Sequence, residues 1–313
     1  MSTKVKNYSM SEYIKKYALF GIILVIGVVF SFMSPYFLTA DNLISIIRQA
    51  TVMVVYAIGL TFVMIGGMID ISIVNIGLIS TMIAGIMMEK GQPVWLAILA
   101  AFAIGLIVGV VNGVMTTAFD LNPMIVTLGT SSLCSGGTLL ICGGTSIYNL
   151  PSAFRWLGRG YLGIVPVQVV FMILIFIAAQ IMLSKTVFGR RIYAIGGNAQ
   201  VSKLAGIRVK TYQILLFVIC SLCSVLAGLI SSSKIATASS TPSANMFMNV
   251  LAAVVIGGTS LSGGKGSVVG SFFGALMLTM LSNGLTIIGL SSYWQTVISA
   301  IILLITIVMY RKD

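Results

Sequence analysis

Residues 93–119 read PVWLAILAAFAIGLIVGVVNGVMTTAF, without a charged side chain from end to end. At the helical rise of about 1.5 Å per residue the run extends about 40 Å, more than the roughly 30 Å of a bilayer's hydrocarbon core. In that medium each backbone N–H and C=O must find its partner inside the protein, and a lone segment achieves this only as a helix. Runs of the same character recur at 17–36, 50–66, 71–88, 123–142, 165–183, 212–232, 249–258, 267–288 and 293–310. Hydrophobic residues are 58% of the chain and charged residues 8%, with a mean hydropathy of +1.10, whereas about a quarter of a soluble domain is charged. The expected fold is all-α: a polytopic transmembrane helical bundle of about ten membrane segments, with residues 1–313 forming a single membrane domain.

The net charge of +12 does not point to nucleic acid, because the basic residues lie mostly between and beyond the apolar runs. They report orientation, since loops rich in Lys and Arg stay on the cytoplasmic side. Ten crossings put both termini inside, together with Lys4, Lys6, Lys15 and Lys16, the loop at 184–211, and Arg311 and Lys312. Arg155 and Arg159 then fall outside, against the bias. No small-residue cleavage site follows the first apolar run, which therefore reads as a retained helix. The chain has no histidine and its four cysteines all lie within apolar runs. No metal site, cofactor or catalytic residue is expected, and the Cys220-x-x-Cys223 pair reads as packing inside a membrane helix.

The loop at 184–211 gathers Lys185, Arg190, Arg191, Lys203, Arg208 and Lys210 and no acid. Within it Asn198 is suited to cap a two-turn helix over Ala199 to Ala205, with Gly206 at the position that ends it and Lys203 at the negative end of its dipole. A polar, capped insertion in so apolar a chain reads as a docking surface for a water-soluble partner.

Two apolar runs are interrupted alike. VMIGGMID at 63–70 matches VVIGGTSL at 254–261 in its Val-x-Ile-Gly-Gly core, and the second run is only about 15 Å long as a helix. Glycine breaks in both halves point to an internal repeat, to broken or re-entrant segments, and to a pathway between the repeats. Residues 41–49 read as a short interfacial helix ahead of the second span. Glycines at 105, 109 and 113 and at 266, 270 and 274 each lie on one helix face, where another helix of this chain or of a second copy can approach closely. The stretch from Gly263 to Ser267 fails as a phosphate-binding loop, because Thr259 and Gly266 stand where Gly and Ser or Thr are required. The chain thus carries no means of hydrolysing ATP itself.

Candidates for lining the pathway are Asp70, the carboxylate beside the first break, and the neutral Asn75, Asn112, Asn249 and Asn283. These amides offer donors and acceptors without the desolvation cost of an ion. Asp70 is equally suited to capping the helix that restarts at Ile71, and each asparagine to an interhelical hydrogen bond. An ion-gradient-driven secondary transporter is the alternative, although it would want more intramembrane acids than Asp70 and Asp120.

Three blocks carry a family resemblance: FGRRIYAIGGN at 188–198 continuing through KLAGIRVK at 203–210, AAVVIGGTSLSGGKG at 252–266, and SNGL at 282–285 with SSYWQ at 291–295. In these the chain resembles the permease subunit of ribose-type and related monosaccharide ABC importers. The resemblance implies a multi-pass protein of the bacterial cytoplasmic membrane that moves a ribose-like monosaccharide, driven by ATP-binding-cassette subunits on the cytoplasmic side. It also implies a solute-binding protein outside and a second permease copy or sister permease beside it in the lipid bilayer. Gly197, Asn198, Ala199, Lys203, Leu204, Ala205 and Gly206 would then form the coupling helix that sits in a groove of the ATPase. The chain departs from the pattern at Met68 and Val74, which replace glycines, and at Phe247 and Asn249, where relatives tend to carry acids. Related importers also carry furanose-like signal molecules and nucleosides.

Overall fold

A computed structural model describes residues 10–242, 245–291, 293–298, 300 and 301. Lys4, Lys6, Arg311 and Lys312 lie outside the described residues, as does the tenth expected span beyond residue 301. The bundle is helical throughout, apart from the two-residue strands β1 (Tyr161–Leu162) and β2 (Val165–Pro166), paired antiparallel. Among the described residues six helices are long and apolar enough to cross a membrane: α2 (Ala40–Ile65), α4 (Val94–Ala118), α5 (Pro123–Cys142), α7 (Val167–Lys185), α10 (Val209–Ile235) and α12 (Val268–Ile287). Between them come α1 (Met10–Met33), α3 (Ile73–Glu89), the short α6 (Ser152–Arg159), α8 (Val187–Gly197), α9 (Ala199–Leu204) and α11 (Met246–Ile256).

Two expectations are corrected here. Residues 41–49 are not a separate interfacial helix: they are the first turns of α2, which runs unbroken from its Thr39 cap. Nothing between Asp41 and Gln49 stops a helix, because that stretch holds neither Gly nor Pro, while Thr39 Oγ1 accepts from Asn42 N at 3.4 Å and Asp41 sits at the positive end of the dipole. The loop at 184–211 likewise holds more order than one helix, since α8 precedes α9 and starts from a Thr186 cap.

The centre is apolar as in a soluble bundle, but the outer surface is apolar too. Helices α2 and α10 form the centre, with Phe62, Leu60, Phe217 and Ile230 almost wholly buried. The outer α4 and α5 turn Leu106, Ile107, Ile125 and Leu133 outward, as lipid-facing helices do. In lipid the hydrophobic effect does not press helices together, so close van der Waals packing must. The glycines of α4 provide it: a Cβ on Gly109 would lie 2.9 Å from Val218 Cα, and one on Gly113 2.7 Å from Ile214 Cα, both on α10. On α12, Gly270 and Gly274 admit the backbone of α11 at Gly257 and Ala253 in the same way. Gly266 stands ahead of α12 at φ +154° and is not on that helix face; the small-residue faces made by Gly105, Gly109 and Gly113 and by Gly270 and Gly274 pack within the chain. Gly109→Ala is expected to lower stability by about 1–3 kcal/mol through overpacking, seen as a lower thermal midpoint in detergent. Gly109→Leu should remove the monodisperse species altogether.

The two interruptions share one backbone device. After α2, Gly67 takes φ +81°, its N–H donates to Met64 O at 2.9 Å, and Met68 N donates to Val63 O at 3.1 Å. After α11, Gly258 takes φ +86°, its N–H donates to Val255 O at 2.9 Å, and Thr259 N donates to Val254 O at 3.1 Å. Each is a Schellman cap, which glycine adopts without the Cβ penalty of the left-handed region. The likeness read in the sequence thus extends to the hydrogen bonds.

Candidate functional site

At one end of the bundle, where α7 leaves and α10 enters, α8 and α9 project as a bent pair. Asn198 Oδ1 accepts from Val201 N at 3.0 Å and opens α9. Gly206, at φ +80°, closes it, donating to Lys203 O at 3.0 Å while Ile207 N donates to Ser202 O at 3.0 Å. All seven residues expected to make the coupling contact, Gly197, Asn198, Ala199, Lys203, Leu204, Ala205 and Gly206, are exposed, and Ser202 alone in α9 is buried. Leu204 is 89% exposed and Val201 60%, which places two apolar side chains beside the Lys203 ammonium on a helix that packs nothing onto them. An apolar knob with a charged rim is what a groove on a partner can hold.

Behind this knob five glycines from three segments meet. A Cβ on Gly196, at the end of α8, would overlap Ile65 O and come within 2.5 Å of Gly264 N. One on Gly263 would lie 2.6 Å from Gly67 Cα, and one on Gly264 2.9 Å from Gly197 N. Only glycine permits backbone to approach backbone this closely. Gly264 N donates to Ile65 O at 2.8 Å, and Tyr193 OH on α8 donates to Gly266 O at 2.8 Å. The first break, and the loop that follows the second, are therefore joined to the base of α8 and α9. The loop at 263–266, which fails as a phosphate-binding motif, is instead a backbone packing element whose Gly264 N–H is already engaged.

A cavity of about 430 Å³ opens on the other side of the breaks, between α2, α3 and α10, within the range of small-molecule sites. Six hydroxyls line one part of it, Tyr56 from α2, Thr81 from α3, Ser231 and Ser232 from α10, and Ser239 and Thr241 from the loop before α11, while Val52, Val74, Leu78, Ile235 and Met246 make the larger part apolar. Among the described residues no charged side chain lines it. Gly77 and Gly228 let α3 and α10 close beneath it, since a Cβ on Gly228 would lie 2.8 Å from Gly77 O. Such a wall suits an uncharged polyol, whose hydroxyls can both donate and accept.

None of the five expected pathway residues lines this cavity. Asp70 and Asn112 are brought together in one buried network: Thr130 Oγ1 donates to Asn112 Oδ1 at 2.7 Å, Asn112 Nδ2 donates to Ser72 Oγ at 2.9 Å, and Asp70 Oδ1 accepts from Ser72 N at 2.9 Å. The carboxylate thus holds the turn that starts α3, and the side chain lies against the Cys220 thiol. Asn75 Nδ2 donates to Ser131 Oγ at 2.7 Å, tying α3 to α5. Asn283 and Asn42 exchange amide hydrogen bonds at 3.0 and 3.1 Å across α12 and α2. Asn249 stands apart on α11, half-buried. The hydroxyl wall escaped the sequence reading because Ser and Thr are common on membrane helices, where they can bond back to their own backbone. The clustering of Ser231, Ser232 and Ser233 just past Gly228 was the available signal.

The family model described as branched-chain amino acid transport system / permease component matches residues 42–307. The chain is 36% identical over 315 residues to the ribose import permease protein of Bacillus subtilis, covering 100% of this chain and 98% of that one. It is 35% identical over 299 residues to the ribose import permease protein of Escherichia coli K12, covering 94% and 93%, and 30% identical over 313 residues to the D-allose transport system permease protein of the same strain, covering 99% and 96%. No solved structure matches. An apolar bundle of membrane-length helices and a full-length likeness to import permeases lead to one conclusion: the chain belongs to this family of transport-system permease components, as a multi-pass membrane subunit with no catalytic role of its own.

Proposed function

We propose that the chain moves a ribose-like monosaccharide across the cytoplasmic membrane, powered by ATP-binding-cassette subunits that seat α9 on the cytoplasmic side. A solute-binding protein delivers the sugar outside, and a second permease copy or a sister permease completes the channel. The observation that carries the reading is the glycine junction, which ties an exposed, capped helix to the first helix break and to the loop that follows the second, so that a pull on α9 reaches the segments flanking the pathway. The hydroxyl-lined cavity supports an uncharged, hydroxyl-bearing solute, and the ribose and D-allose permeases among the relatives support the sugar class. Alternating exposure of that cavity follows if nucleotide binding favours one of two arrangements of the junction.

Proteoliposomes containing the permease, with the ATPase and ATP inside and binding protein outside, are expected to accumulate labelled ribose, and allose should compete if the cavity accepts hexoses. Ser231→Phe, which fills the cavity, should cut uptake at least about tenfold while the ATPase still binds. Uptake driven by a proton or sodium gradient with no ATPase present would defeat the proposal.

A further inference from the structure

Where α8 packs beside the first turns of α10 lies a recess of about 440 Å³ that neither the glycine junction nor the exposed side of α9 uses. Arg208, Thr211, Tyr212 and Leu215 line it from α10 and its cap, and Phe188 and Arg191 from α8. The residues of α10 follow at spacings of three and four, so they form one stripe along a single face of the helix. Over the roughly 10 Å from Arg208 to Leu215, that stripe passes from a guanidinium through two hydroxyls to an apolar side chain that is 41% exposed.

The groups are positioned in advance. Arg191 Nη1 donates to Tyr212 OH at 2.6 Å, its guanidinium carbon stands 5.6 Å from the Tyr212 ring centroid, and the Phe188 and Tyr212 rings pack with their centroids 5.4 Å apart. The phenol oxygen is an uncharged acceptor, and among the described residues neither Arg191 nor Arg208 forms an ion pair. The sequence supplies no local partner either, since no acid stands between Asp120 and Asp313. Orientation in the membrane requires basic residues on this side of it. It does not require two of them to share a recess with an aromatic wall and an apolar end. An anion relieves the repulsion between two such charges, and the apolar end favours an anion that carries a hydrocarbon tail.

We propose that the recess holds an anionic phospholipid of the cytoplasmic leaflet. Arg191 and Arg208 bind its phosphate oxygens, the Thr211 and Tyr212 hydroxyls lie at the depth of its glycerol, and the first acyl carbons rest on Leu215 and Phe188. The inference takes from Proposed function only that this end faces the cytoplasm. The planar fork of donors on a guanidinium matches phosphate oxygens, and basic pockets between membrane helices on that side hold acidic headgroups. A lipid seated there bridges α8, which carries Gly196 of the junction, to the first turns of α10, and so braces the base from which α9 projects.

The test uses the purified permease, delipidated in an uncharged detergent and titrated with phosphatidylglycerol, phosphatidylcholine or inorganic phosphate. Bound lipid is counted by native mass spectrometry, and the thermal midpoint is followed in parallel. Wild type is expected to retain phosphatidylglycerol in preference to phosphatidylcholine and to melt at a higher temperature with it. Arg208→Gln, at a side chain with no hydrogen bond or ion pair among the described residues, should weaken that retention about fivefold and leave the midpoint of the lipid-free protein unchanged. Arg190→Gln removes the same charge from an exposed neighbour outside the recess and should retain the lipid as wild type does. Equal loss in the two variants would reveal only a diffuse attraction to charge and overturn the assignment, as would equal retention by wild type and Arg208→Gln. Stabilisation by inorganic phosphate that Arg208→Gln abolishes would make the recess a free-anion site. Loss of the ATPase from Arg208→Gln with lipid retention unchanged would make it part of the subunit contact, and either result ends the lipid assignment. Lipid binding does not depend on transport, so failure of ribose uptake would sink the reading above and leave this one standing.

Discussion

Gly196→Val is expected to reduce ATP-driven uptake by about a hundredfold while the ATPase still binds at α9. The glycine has no room for a side chain: a Cβ there would overlap Ile65 O and lie 2.5 Å from Gly264 N. These neighbours are backbone atoms held by the Gly264-to-Ile65 hydrogen bond, so they cannot rotate away as a flexible side chain would. Overpacking of this kind costs about 3 kcal/mol or somewhat more, which corresponds to roughly a hundredfold in the population of the joined arrangement. The exposed side chains of Val201 and Leu204, on which the proposed ATPase contact rests, lie beyond the junction and are untouched. Because a bulky residue here could also impair folding, Tyr193→Phe gives a second reading. It removes only the hydroxyl that donates to Gly266 O at 2.8 Å and is expected to leave ATP hydrolysis running with several-fold less sugar moved per ATP. An unchanged ratio of sugar to ATP in Tyr193→Phe, together with normal uptake in Gly196→Val, would remove the junction from the mechanism.

Leu204→Asp should have the opposite signature, losing the ATPase while the membrane subunit stays folded. At 89% exposure Leu204 contributes almost nothing to the bundle, so the thermal midpoint of the isolated permease is expected to match wild type. In a groove the same side chain would be surrounded, and exchanging an apolar anchor for an unpaired carboxylate there carries the cost of a lost hot spot and of a buried charge. A loss of about thirtyfold or more in affinity for the ATPase follows. It can be measured by co-purification and by titrating the ATPase onto the permease in nanodiscs. Val201→Asp, on the same exposed surface, should do likewise, whereas Arg208→Ala should have a much smaller effect. Full retention of the ATPase by Leu204→Asp would exclude α9 as its seat.

Much of the architecture was legible because it is written in short-range chemistry. The long apolar runs could only be helices in a bilayer, and Asn198 and Gly206 carry their capping geometry within a few residues. The paired Gly-Gly breaks did the same, since a left-handed cap needs only the local sequence. Where local rules were ambiguous, the reading slipped: residues 41–49 carry polar groups that suggested a helix lying at the interface. In the structure Asn42 turns its amide onto Asn283, and α2 passes through unbroken.

The candidate pathway shows a sharper division. Asp70 and the asparagines stood out in the sequence as rare polar groups within apolar runs. Asp70, Asn75, Asn112 and Asn283 each share at least one hydrogen bond with another side chain in the fold, which offsets part of the cost of burying a polar group. The hydroxyls that line the cavity are individually unremarkable, and their convergence depends on how α2, α3 and α10 are rotated against one another.

Composition, run length and caps by themselves determined that this is a helical membrane protein with broken segments and a short capped helix at 199–204, because each depends on residues close together in the chain and on the solvent around them. Only the tertiary structure decided which glycines touch across the junction, which hydroxyls face the cavity and which cations share a recess. Those arrangements join residues up to nearly two hundred positions apart, and no local preference encodes the angle at which one helix meets another.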